Sequence, residues 1–325
     1  METEATDNRP ESGHGSERVD PYGFERPCDF DSYKEMMNQY VGVLNRRSMR
    51  WSQLLQQKPE VEKNLTVKRF VRKGVPSEHR AKIWMAASGA QQQMESKPGY
   101  YRSLLAMEHD AKLKETIHTD MHRTFPDNVF FQSHAEAGLQ KVLHNVLLAY
   151  GHHNPAVGYC QGMNFIAGYL IIITKDEEKS FWLMDALLGR ILPDYYSPAM
   201  LGLKTDQEVL GGAVVSRWFI CLYIDILPIE TVLRIWDCLF YEGSKVLFRV
   251  ALTLVLHHQP EILRARSLPD VCECFKQMTC GAFTMDCHAF MQKIFTEPGS
   301  LSMSTIHKLR EKCRQQILEE ESRRP

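Results

Sequence analysis

The sequence predicts an all-α, irregular, multi-helix fold, and three observations point there. Apolar residues recur three and four apart through most of the chain, the spacing of one helix face. No run alternates apolar and polar residues as a half-buried strand would. Gly or Pro separates most of the periodic segments. The 325 residues are 44% hydrophobic and 24% charged, an ordinary globular composition. A chain of this length is expected to split its core into two helical subdomains.

Residues 1–30 are polar, acidic and punctuated by Pro and Gly, the composition of a disordered tail. Within it, Tyr22 and Phe24 read as residues ordered at its edge. Residues 31–73 read as a helical lead-in with an apolar stripe at Trp51, Leu54 and Leu55. The pairs Lys68-Arg69 and Arg72-Lys73 read as a solvated basic face. Gly74-Val75-Pro76 breaks the chain, and a helix runs from Ser77 to about Ala90. Arg80 and Trp84, four apart, share one face of it and can stack. Trp84 reads as fold-building, while Arg80 is left open between structure and function.

After Lys97-Pro98-Gly99 come two further helical patterns, the second starting near Met107. Pro126 stops it and biases Phe125 toward extended geometry. Arg123 therefore sits where a helix runs out into a loop. Asp120 lies one turn back, within reach of its guanidinium. The strongest periodicity follows at Leu139, Val142, Leu143, Val146, Leu147 and Tyr150. Asn154-Pro155 then opens a loop whose polar tip is Tyr159-Cys160-Gln161-Gly162. From Met163 the residues Ile166, Ala167, Leu170 and Ile171 fall on one face, so a buried helix pins the far end of that loop. Helix, Arg loop, helix, Gln loop, helix is an order that can bring both loop tips to one end of a bundle.

In the second half, Phe181–Leu192, Val209–Ile226, Ile229–Phe240 and Val246–Leu256 carry apolar stripes. A last amphipathic helix is expected over Ser302–Glu320, with Met303, Ile306, Leu309, Cys313 and Ile317 inward.

Composition excludes several function classes. Net charge is −1 with no basic stripe, which argues against nucleic-acid binding and against electrostatic attachment to a membrane. The longest apolar candidate, Phe165–Thr174, is too short to span a bilayer. Nine scattered cysteines behind an N-terminus with no secretory pattern imply free thiols and a cytoplasmic location. Gly243-Ser244-Lys245 lacks the leading glycine of a phosphate loop, so no nucleotide or other cofactor of its own is expected. Cys160 with His152 or His153 lacks a third, orienting group, and a buried inert thiol is the commoner state. The spacings of Cys272, Cys274, Cys280, Cys287 and His288 do not match a zinc site.

Two stretches carry a resemblance. Ile117-x-x-Asp120-x-x-Arg123 and Tyr159-x-Gln161-Gly162 resemble the two fingerprint motifs of the TBC-domain Rab GTPase-activating proteins. Val75-Pro76-Ser77-Glu78-His79-Arg80-Ala81-Lys82-Ile83-Trp84 is similar to the opening motif of that family. Leu233-Arg234-Ile235-Trp236-Asp237, followed by Glu242-Gly243, is similar to a later one. All four occur in family order, over roughly residues 74 to 262.

Beside the tail (1–30) and the helical lead-in (31–73) read from composition and pattern, the resemblance implies a TBC core (74–262), with C-terminal helices (263–325) completing the domain. It also implies a protein of vesicle trafficking that accelerates GTP hydrolysis by a Rab without itself being a nucleotide hydrolase. In that reading Arg123 is an arginine finger and Gln161 a glutamine finger that takes over from the Gln of the GTPase. Asp120 braces the Arg loop, Tyr159 and Gly162 shape the Gln loop, and Arg80 is a supporting residue. The implied partner is a GTP-bound Rab carrying Mg-GTP, with membrane contact only transient and through the Rab. The rival is a non-catalytic helical GTPase-binding or scaffold module of the same fold. The two differ in whether Arg123 and Gln161 govern turnover or only affinity.

Overall fold

A computed structural model describes residues 18–58, 60–132, 138–212 and 215–323. Among them the chain is helical, and the only β features are two isolated bridges, Val19 to Glu25 and Phe24 to Asn128. The first half runs α1 (Phe30–Gln57), α2 (Leu65–Lys73), α3 (Ser77–Ser88), α4 (Ala90–Ser96), α5 (Tyr100–Ala106), α6 (Ala111–Met121), α7 (Leu139–His153), α8 (Met163–Thr174) and α9 (Glu177–Asp185). A π-helical turn, Ala186–Ile191, extends α9. The second half runs α10 (Leu201–Val209), α11 (Ser216–Ile220), α12 (Ile229–Glu242), α13 (Lys245–His257), α14 (Gln259–Arg264), α15 (Leu268–Gln277), α16 (Ala282–Met285), α17 (Cys287–Thr296) and α18 (Met303–Arg323).

Local chemistry sets many of these ends. Asn64, Asp110 and Asp176 accept from backbone amides in the first turns of α2, α6 and α9. Ser267 and Asp270 form a reciprocal capping box on α15. Gly89, at φ +77°, ends α3 in the left-handed conformation.

The helical halves share one continuous apolar core, from Trp51 to Ile294. Helices α7, α8 and α9 pack on one another, and α12 packs on α3, α13 and α17. At the centre lies a buried ion pair. Arg80 Nε on α3 donates to Asp237 Oδ1 on α12 at 2.9 Å. Trp84 Nε1 donates to the same oxygen at 2.8 Å, and Val75 N to Oδ2 at 3.2 Å. Asp237 is 0% exposed and Arg80 5%. Arg80 and Trp84 thus converge on a shared acceptor, and the side chain of Arg80 belongs to the core.

Four expectations differ from the structure. The expected tail boundary at residue 30 gives way to a folded segment at 18–29; residues 1–17 lie outside the described residues. Asp20 accepts from the backbone of Tyr22 and Phe24, and Arg26 bridges Asp20 and Asp29. Apolar contact holds the segment down, with Phe24 packed edge-on against Phe125 at 5.3 Å. The expected helix over Val209–Ile226 is only α11, followed by turns in which Leu222, Tyr223 and Asp225 have positive φ. Leu222, Tyr223 and Ile224 in those turns are buried and bonded to the core: Trp236 Nε1 donates to Leu222 O and Tyr223 OH to Leu247 O. Phe125 is left-handed at φ +50° instead of extended, because its ring is enclosed by Phe24, Phe131, Phe165 and Tyr169. In α18 only Ile306 is fully buried, and Leu309 is 40% exposed.

Asp237→Ala leaves the Arg80 charge buried and unpaired. It is expected to cost about 3–5 kcal/mol, read as a fall in the urea-unfolding free energy at an unchanged m-value.

Candidate functional site between the α6 and α8 loops

Helix α6 ends at Met121, and Arg123 follows on the exit loop. Asp120, on the last turn, is 4% exposed and accepts from Arg123 Nε through Oδ1 at 2.6 Å. Arg123 Nη2 reaches the same oxygen, while the Arg123 side chain stays 44% exposed. A guanidinium has five N–H donors, so this clamp orients it and leaves donors for something outside the chain.

The second oxygen of Asp120 belongs to the other loop. Tyr159 OH donates to Asp120 Oδ2. Burial, together with this hydrogen bond to a carboxylate, raises the Tyr159 pKa and keeps the phenol a donor. One carboxylate therefore fixes both the Arg123 loop and the loop leading to Gln161.

A second, buried link runs beside it. Thr124 Oγ1 donates to Asp120 O at 2.7 Å and accepts from Asn164 Nδ2 at 2.8 Å. Asn164 Oδ1 accepts from Gly162 N at 3.1 Å. Asn164 is 0% exposed and Thr124 1%. Gly162 has φ +105°, which a side chain would strain, and it caps the start of α8. Gln161, just before it, is exposed, and among the described residues no hydrogen bond engages its amide. The amide that points outward thus has its backbone pinned from both sides.

Apolar packing sets the distance between the loops. A Cβ on Gly168 of α8 would lie 2.6 Å from Phe125 Cε2. The missing side chain lets the ring after Arg123 rest directly on α8. The folded N-terminal segment closes over the same loop: Glu25 N donates to Asp127 O at 2.8 Å, and Asn128 Nδ2 donates to Tyr22 O at 3.0 Å.

Of the residues singled out in the sequence, Asp120, Arg123, Tyr159, Gln161 and Gly162 come together. Arg80 does not. It sits in the buried α3–α12 ion pair, so its expected supporting role at the site is replaced by a structural one. The histidines are also engaged elsewhere. His153 is held between Tyr100 and Asp185, and His152 packs its ring on His109. Burial raises the Cys160 thiol, away from a reactive thiolate. Sequence reading missed Thr124, Asn164 and Gly168. Asn164 had a signal: it is a polar residue inside the otherwise apolar start of α8.

Asn164→Ala removes the partner of both Thr124 and Gly162 N. The loss is expected at about 1–3 kcal/mol by chemical denaturation, larger than that of Tyr159→Phe, at about 0.5–1.5 kcal/mol.

The chain matches the Rab-GTPase-TBC domain model over residues 77–214 and 213–263. It is 64% identical to growth hormone-regulated TBC protein 1-A of Danio rerio, over 94% of this chain and 92% of that one. It is 62% identical to growth hormone-regulated TBC protein 1 of Homo sapiens, over 93% of this chain and 96% of that one. The crystal structure of the Chlamydomonas flagellar RabGAP TBC domain is similar, with a TM-score of 0.68 and 30% identity over 85% of this chain and 99% of that one. With four motifs in order, the same fold and a matching family model, this chain belongs to the Rab-GTPase-TBC domain family.

Proposed function

We propose that the protein accelerates GTP hydrolysis by a GTP-bound Rab-family GTPase, supplying Arg123 and Gln161 in trans. The carrying observation is the pair of outward side chains whose loops are locked together through Asp120. Membership in the family and likeness to the Chlamydomonas flagellar RabGAP TBC domain support the reading.

The chemistry follows from what a slow GTPase lacks. Charge grows on the transferring phosphoryl oxygens, and the attacking water is poorly held. Arg123 brings a planar cation that can span two oxygens and keeps its charge. Gln161 brings a neutral amide that accepts from the water and donates to a phosphoryl oxygen. Asp120 holds the guanidinium before the partner arrives, so little ordering remains at the moment of reaction. The Mg-GTP comes with the partner, and the protein adds no nucleotide site of its own. Residues 74–262 form the catalytic core in this reading, with 263–325 completing the domain. The work is cytoplasmic, reaching membranes only through the bound Rab.

Single-turnover GTP hydrolysis by a panel of purified Rab proteins tests it. Wild type should accelerate at least one of them. Arg123→Ala should lower the accelerated rate by about 10³-fold or more, and Gln161→Ala by about 10²–10³-fold. Arg123→Lys should fail to rescue, because it keeps the charge and loses the fork. Gln161 is exposed, so Gln161→Ala should change the unfolding free energy by less than about 1 kcal/mol, whereas Arg123→Ala leaves the nearly buried Asp120 Oδ1 without its donor and should cost about 1–3 kcal/mol. Binding to the GTP state with no acceleration of any Rab would instead favour the non-catalytic module.

A further inference from the structure

A cavity of about 660 Å³ lies between α1, α2, α12 and α17, on elements other than those carrying Arg123 and Gln161. Arg46, Arg47, Arg50, Arg69, Lys73 and Arg234 line it, and no Asp or Glu does. That concentration stands out in a chain whose net charge is −1. Among the described residues, none of these six cations takes part in an ion pair. Arg72, also at the wall, is neutralised by Glu242 at 2.5 Å.

The floor is the informative part. Arg47 Nη2 and Arg234 Nη1 both turn to His288 Nδ1, at 3.3 and 2.9 Å. One neutral imidazole lone pair is a poor answer to two guanidinium charges. Burial and the two arginines drive the His288 pKa down to about 4, so the ring offers no counter-charge. Burial and the Arg234 charge bring Arg47 down to about 10. Arg234 is 5% exposed, and its buried Nε has no hydrogen-bond partner. A Cβ on Gly74 would lie 2.6 Å from that Nε and 2.7 Å from Arg47 Nη1. The chain omits a side chain where the two guanidiniums converge.

A fold alone gains nothing from this. Arg234 Nη2 does tie α12 to α2 through Arg72 O at 3.1 Å, but a single such bond does not need a second buried cation beside it. Asp237 and Asp286 act on the Arg47 and His288 side chains only from a distance, and like charges held together without a directly paired acid destabilise the folded state until an anion joins them. Trp51, Phe70, Met291 and Phe295 add an apolar wall for a ring or chain. The volume is that of a small-molecule site.

We propose that this cavity binds a small, multiply phosphorylated anion of the inositol polyphosphate class, either free or as a lipid headgroup. Arg47 and Arg234 hold one phosphate at the floor. Arg46, Arg50, Arg69 and Lys73 hold others at the rim. Charge-assisted hydrogen bonds from several arginines favour clustered phosphates over a single one.

The test uses the full chain and two probes. Inositol trisphosphate is titrated calorimetrically, with inorganic phosphate as the single-charge reference. Phosphatidylcholine vesicles with and without phosphatidylinositol bisphosphate are pelleted with the protein. Wild type should bind the trisphosphate more tightly than inorganic phosphate. The triple variant Arg46→Gln/Arg50→Gln/Arg69→Gln alters only exposed residues and should lose at least about tenfold in affinity with its melting temperature kept. Arg47→Met, which removes a floor cation, should also lose affinity. Trisphosphate binding with recruitment to the charged vesicles identifies a lipid headgroup; trisphosphate binding without recruitment identifies a free polyphosphate. The proposal is overturned if wild type binds neither probe, or if the triple variant binds as well as wild type. Acceleration of Rab hydrolysis in solution by the triple variant should match wild type, so this result stands or falls apart from the activator reading.

Discussion

The buried pair of Arg80 and Asp237 is the constraint on which the rest of the structure depends. An isolated charge at this depth would be expensive, and each member is tolerable only because the other is in place. Asp237 also takes the indole N–H of Trp84 and the amide of Val75, so its polar capacity is fully used. With Arg80 Nη2 on Oδ2 at 3.3 Å as the fourth, the geometry of four donors on one carboxylate fixes how α3 sits on α12 and where the Gly74 break enters the core. Trp84 lies against Trp236 and Phe240, and Trp236 against Tyr169 on α8. The orientation set at the ion pair is thereby carried by packed rings to the helix that pins the Gln161 loop.

The same device recurs, in smaller form, at the proposed catalytic site. Asp120 is again a nearly buried carboxylate with donors from two directions, here Arg123 and Tyr159. The difference is exposure. At Asp237 every partner is enclosed, and the result is architecture. At Asp120 one partner, Arg123, keeps much of its surface in solvent, and the result is a positioned group with donors to spare. Asn164 and Thr124 supply the rigidity that a surface loop would otherwise lack, and the contact of Phe125 with Gly168 sets the spacing. The cavity behind α1 and α2 shows a third case: two guanidiniums meet on one neutral imidazole, and among the described residues no carboxylate is paired with either.

Much of the fold was legible in the sequence because burial imposes periodicity. The stripes at Leu143, Val146, Leu147 and Tyr150, and at Val246, Leu247, Val250 and Leu254, report helix faces that lie against the core in the structure. Spacing also disclosed the contact of Asp120 with Arg123, since three residues on a helix are one turn. Periodicity misled at Leu222 and Tyr223, where an apolar run is buried in turns; burial by itself does not specify a helix. The rule that a residue before proline is extended likewise failed at Phe125, whose ring is held by Phe24, Phe131, Phe165 and Tyr169, residues distant in the chain.

The sequence by itself determined most of the helices, their order and the two loops that carry Arg123 and Gln161, because these follow from local spacing, caps and breakers. Only the tertiary structure decided which polar residues meet. It put Arg80 in the core with Asp237, joined Tyr159 to Asp120, ran a hydrogen-bonded link from Thr124 to Gly162, and gathered scattered arginines around one cavity. The physical reason is that a hydrogen bond or an electrostatic contact depends on distance in space. Asp237 lies 157 residues along the chain from Arg80, and no local pattern records that separation.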